Sequence, residues 1–110
     1  MLKSSLTALA RHHLETAQST TSGRSASTVY GGHEHVLRQT MIALAVGRTL
    51  SEHDNPGEAT IQVLHGRVRL RAGGEAWDGA VGDFLIVPDS RHDLEALENA
   101  VILLTVAKLR

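Results

Sequence analysis

The 110-residue chain contains no cysteine, which excludes disulfides, thiolate metal sites and a cysteine nucleophile. Any metal would have to be held by histidine, carboxylate, amide or water. Charge of one sign is missing as well. Eleven Lys and Arg stand against twelve Asp and Glu without a long block of either, so no basic face is offered to nucleic acid or to an anionic membrane. Long apolar runs are also lacking: no stretch approaches the ~20 residues needed to span a bilayer. The N-terminal MLKSSLTALARHHLETAQ has no continuous apolar core of the kind a secretory signal needs. A soluble, cytoplasmic protein is expected. That segment is Ser-containing and free of acid until Glu15, which superficially suits an organellar transit peptide. A short docking helix explains it as well, because Leu2, Leu6, Leu9 and Leu14 fall near one helical face. No Ser-His-Asp order, phosphate-binding glycine loop or paired-carboxylate arrangement rises above chance spacing.

The chain has room for one domain, which would bury roughly two thirds of the surface its unfolded form exposes. After a helix over about residues 4 to 18, the run STTSGRSAS is small and polar and reads as a connector. Residues 1–26 are therefore expected to form a helix and linker, and residues 27–110 the folded domain. From Ser27 onward, short segments rich in Val, Ile, Leu and Thr alternate with turns: STVY, HVLRQTMIALAV, ATIQVLH, RVRLRA, EAWDG, DFLIVP, RHDLEAL and AVILLTVAKL. This spacing predicts an all-β antiparallel sandwich or barrel. Ile61, Val63, Leu85 and Val87 are expected in its core. MIALAV and AVILLTVA carry more apolar surface than one small interior absorbs, so a homodimer is expected.

Alternation also sorts the polar candidates by direction, since residues i and i+2 on a strand share a face. His53 and Asn55 point the same way if the chain is extended there. His92 shares a face with Leu94 and Ala96, a polar group at the mouth of an apolar channel. Arg38 and Gln39 lie on opposite faces, so at most one looks into the interior. His33 and His35, in GGHEH, fit a solvated turn; His12 and His13 fit the exposed face of the helix, and His65 an exposed hairpin. Trp77, the single tryptophan, reads as packing in the core or at an interface.

Two spacings carry a family resemblance. Gly47, five residues, His53, Asp54 and Asn55 are followed at the right interval by Gly66; Gly82, five residues and Pro88 are followed by Ser90 and His92. Over residues 36–108 the chain resembles the cupin superfamily, whose motifs read Gly, five residues, His-x-His, a Glu and a closing Gly, then Gly, five residues, Pro-x-Gly and a His. The resemblance implies a single-domain, RmlC-like cupin (jelly-roll) β-barrel. In metal-binding members two histidines, a glutamate and a third histidine surround one divalent ion; by position these become His53, Asn55, Ala59 and His92. Asn55 offers a weak neutral oxygen and Ala59 offers nothing, while Glu58 would reach the site only if the Pro56-Gly57 turn rotated it inward. The resemblance implies a small-molecule-binding protein whose cavity is fronted by His53, Asn55 and His92, with any divalent transition metal held below full occupancy. The alternatives are a metal-dependent enzyme of isomerase or dioxygenase type using His53, His92 and Asn55 or Glu58, and a non-catalytic dimerisation or sensor module.

Overall fold

The computed structural model describes residues 3–53 and 57–108, with the backbone alone described at Glu52 and His53. Among the described residues one helix precedes nine strands: α1 (Leu6–Ser19), β1 (Arg24–Gly31), β2 (Leu37–Leu44), β3 (Thr49–His53), β4 (Gly57–His65), β5 (Arg67–Ala72), β6 (Glu75–Ala80), β7 (Phe84–Ile86), β8 (His92–Ala96) and β9 (Ala100–Lys108). They form a five-stranded sheet in the order β1-β2-β9-β4-β7 and a four-stranded sheet in the order β3-β8-β5-β6. Every pairing is antiparallel. The expected all-β architecture is therefore present, with one strand, β3, that the segment pattern had left unassigned.

The two sheets face each other across one apolar core. Ala59, Ile61 and Val63 of β4 point inward and meet Val68 and Leu70 of β5, Leu94 and Ala96 of β8, and Ile102 and Val106 of β9. Alternation in β4 explains the arrangement: Ala59, Ile61 and Val63 are buried while Glu58 and Gln62 are exposed. Of the four residues expected in the core, Ile61, Val63 and Val87 are buried, and Leu85 packs against them partly covered. Glycine is required at Gly66, between β4 and β5, where φ is +73° and an added Cβ would run into the carbonyl of Asn99. An L-residue rarely adopts that conformation.

A second, smaller cluster lies on the outer side of the five-stranded sheet. Ser5 caps α1, its hydroxyl accepting from the amide of Ala8 at 3.1 Å. Ala17 then packs on Met41, Ala43 and Val101, with Leu9 and Leu14 partly covered around them. Leu9 and Leu14 thus belong to the docking face as expected, whereas Leu2 lies outside the described residues. Two expectations need correction. The connector is shorter than its composition suggested, because β1 already begins at Arg24. His13 is not a surface residue but 6% exposed, with Nδ1 2.6 Å from the Ser25 hydroxyl and Nε2 2.8 Å from the Ser27 hydroxyl. The early strand is made by its ladder with β2, in which Arg24 pairs with Leu44 and Ser25 with Ala43. Ser25 and Ser27 share the face of β1 that meets the helix, and the imidazole satisfies both hydroxyls.

Candidate functional site

One end of the sandwich gathers most of the polar residues singled out above. Here β2 and β4 begin, β9 ends, and the chain passes from β7 to β8: Leu37 pairs with Ala107, and Gly57 with Lys108. The turn between β1 and β2 closes over the same end, its Val36 carbonyl accepting from the Lys108 amide at 2.8 Å. The Lys108 ammonium donates to the carbonyl of Gly32 at 2.6 Å. His33 and His35 are exposed in this turn, as the solvated-turn reading expected.

His92 opens β8 and is 8% exposed. It shares the inner face with Leu94 and Ala96, which are buried in the core cluster. Its Nδ1 lies 2.9 Å from the carbonyl oxygen of Ser90. Because a carbonyl only accepts, the neutral ring carries its hydrogen on Nδ1 and its lone pair on Nε2. The backbone of His53, the last residue of β3, is the direct register partner of His92, after an irregularity following Leu50. The register therefore brings the two histidine positions side by side. The His53 side chain and Asn55 lie outside the described residues.

The remaining motif positions are separated by the pleat. Ala59 is 7% exposed and belongs to the inner cluster. Glu58 is exposed, on the opposite face of β4. A metal-binding cupin would need a carboxylate on the face that Ala59 occupies, and the strand continues there without a bulge, its register with β9 regular from Gly57 through Val63. Among the described residues no three His, Asp or Glu side chains group as a metal site would require. The described donor set thus lacks the anionic ligand of a tightly held divalent ion.

The acids of β8 serve the outside. Arg71 pairs with Asp93 at 3.1 Å and with Glu95, and Arg69 makes a two-pronged pair with Asp78 at 2.7 and 3.0 Å. The hydrogen bond from Arg69 is the main cause that holds the Asp78 carboxyl below its ordinary range. These exposed pairs solubilise the four-stranded sheet and contribute little to stability. Trp77 stands opposite Leu70 in the register but on edge strand β6, so it is 40% exposed and not a core residue.

One further residue faces the interior at this end. Arg38 is directly opposite Val106, and directly opposed residues share a face. Val106 is a core residue paired in turn with Ala59. Arg38 is therefore the member of the Arg38/Gln39 pair that looks inward, while Gln39 donates to the Thr105 hydroxyl at 3.2 Å on the outside. The signal was present in parity: Arg38 is an even number of residues from Ile42 and Leu44, which are both core. Away from this end, a groove of about 300 Å³ lies between α1 and the end of β4, lined by Leu14, Leu64 and His65.

No family model and no curated protein matches the chain. Solved structures do. A conserved protein of unknown function from Streptococcus pyogenes aligns with a TM-score of 0.74 and 25% identity, covering 83% of this chain and 79% of that one. An RmlC-like cupin from Shewanella frigidimarina aligns at 0.69 with 19% identity over 81% and 79%. A cupin superfamily protein from Desulfitobacterium hafniense aligns at 0.68 with 16% identity over 77% and 79%. Nine antiparallel strands in two facing sheets, with the histidine positions at one end and these structural relatives, identify the chain as a small barrel with the cupin fold.

Proposed function

We propose that the protein is a small-molecule-binding cupin domain whose cavity mouth is fronted by His53, Asn55 and His92. The observation that carries this reading is the hydrogen bond between His92 and Ser90. A buried imidazole tethered through Nδ1 is held in one orientation, with an apolar wall behind it. A concave apolar wall with a few oriented polar groups is the usual make-up of a ligand pocket. The metal-dependent alternative needs a carboxylate on the inner face. The exposure of Glu58 and the burial of Ala59 both weigh against it.

A homodimer belongs to the same reading. Phe84 and Ile86 are exposed on edge strand β7, beside the part of the sheet that α1 leaves open, and an uncovered apolar edge favours self-association. Among the described residues no helix is long and apolar enough to cross a membrane, and a cytoplasmic location is proposed on the absence of cysteine. A thermal-shift screen of small metabolites against the unmodified protein and His92→Ala tests the reading. Compounds that raise the melting temperature of the former and not of the latter are expected. Stabilisation retained in full by the variant would place the binding elsewhere.

A further inference from the structure

Two titratable side chains are buried among the described residues, His92 at the start of β8 and His13 beneath α1. The His13 ring joins the helix to β1 through both of its nitrogens, 2.6 Å from the Ser25 hydroxyl and 2.8 Å from that of Ser27. In the neutral ring one nitrogen donates and the other accepts, and a hydroxyl can answer either. A second proton makes both nitrogens donors. The two hydroxyls can still accept from them, but neither can balance the charge, and a buried charge without a counter-ion is costly.

Among the described residues no acid faces the ring from the elements packed on it. Ser25 and Ser27 stand opposite Ala43 and Met41 in the register, and the floor beneath the helix is Met41 and Ala43 of β2 with Val101 of β9. Arg24 alternates to the other face of β1 and donates to the Thr49 carbonyl at 3.0 Å; Tyr30, at the far end of that strand, meets His35 edge-on. Arg38 of β2 looks inward, and Lys108 of β9 donates to Gly32. Arg48 serves the Thr21 carbonyl at 3.1 Å beyond the helix end, and His65 borders the groove on the flank of Leu14, with Arg11. On the helix itself Glu15 is exposed, and two residues of helical advance turn it to the far side. The nearest ring, His12 at 5.3 Å, brings only a like charge when protonated. Burial first, and His12 second, hold the His13 pKa below its ordinary value.

The contacts of α1 are also separable from the core. Ala17 packs in the outer cluster with Met41, Ala43 and Val101, none of which belongs to the cluster between the sheets. Residues 20–23 join the helix to β1, with Gly23 at a positive φ of 70°, and the ladder of β1 with β2 needs nothing from the helix. A unit that shares few contacts with the rest can open at a lower free energy than the whole. We infer that His13 is an acid-operated clasp: protonation releases α1 from the sheet as a unit, the two-sheet core stays folded, and Met41, Ala43 and Val101 are uncovered.

Amide hydrogen exchange of the untagged full chain tests this, with protection factors corrected for the intrinsic pH dependence of exchange. At pH 5 the amides of residues 9–17 should be less protected than those of Val63 and Ile102 by about tenfold or more. From pH 7.5 to pH 5 the helix protection should fall about threefold or more, and His13→Gln, which offers the serines a neutral amide, should abolish that fall. An NMR titration of the unmodified protein gives a second reading that does not depend on the variant folding: the amide shifts of Ala17 and Val101 should move with the same midpoint as the His13 ring. Helix protection unchanged at pH 5, a fall that persists in His13→Gln, or shifts at Ala17 and Val101 that do not follow the His13 ring would each overturn the inference. So would equal protection of helix and core at pH 5, since release and global unfolding would then be one event.

Discussion

The Nδ1 nitrogen of His92 stands 2.9 Å from the carbonyl oxygen of Ser90, two residues earlier in the turn that carries the chain from one sheet to the other. That contact selects one tautomer of a buried ring. Nitrogen chemical shifts of the imidazole should therefore show a protonated Nδ1 and an unprotonated Nε2 at pH 8. A protonated Nε2 and an unprotonated Nδ1 there would contradict the tether to Ser90.

The core assignments predict graded losses. Ile61→Ala and Val63→Ala remove fully buried side chains from the interface between the sheets and should each cost about 2 to 4 kcal/mol. Leu85→Ala should cost less, because Leu85 is only partly covered. Denaturant midpoints check the order; equal losses at all three positions would contradict it.

His13 predicts a pH dependence. Burial, reinforced by the neighbouring charge of His12, lowers its pKa in the folded protein below 6.5, so the unfolded chain binds more protons in the interval between the two values. Its contribution to stability is therefore complete above the unfolded value and is lost as pH falls below about 6.5. The melting temperature should fall from pH 7.5 to pH 5, and the fall should shrink in His13→Gln. At pH 7.5, His13→Ala should cost about 1 to 3 kcal/mol, since it strands the Ser25 and Ser27 hydroxyls against the helix.

Removal of residues through Thr20 should uncover Met41, Ala43 and Val101, which α1 covers. The truncated protein should lose stability or associate more strongly, while metabolite binding at His92 persists, because the helix docks on the outer face of the sheet. Loss of binding in a truncation that still melts cooperatively would place the helix at the site.

The contrast between these regions shows what local pattern can and cannot reveal. Alternation in ATIQVLH placed Ala59, Ile61 and Val63 inward, because in a half-buried strand the pleat alone decides the face. The same parity assigned Glu58 to the outside and would have brought Arg38 inside had it been counted from Ile42. His13 was not legible this way. Its burial depends on serines in another element, and nothing within the helix distinguishes it from exposed His12. The strand β3 escaped because Thr49–His53 carries few apolar residues; its ladder with β8 depends on partners 39 to 46 positions away. The glycine, proline and histidine spacings conveyed the fold.

The most direct test of a mouth built for binding without a tightly held metal is calorimetric titration of the untagged, metal-stripped protein with Zn²⁺, alongside Ala59→Glu and Glu58→Ala. Two imidazoles and a neutral amide should hold the ion weakly and below one equivalent. Ala59→Glu should tighten it by restoring an anionic donor on the inner face, and Glu58→Ala should leave it unchanged. Tight, stoichiometric binding by the unmodified protein, abolished in Glu58→Ala, would contradict the account and make the site a metal centre.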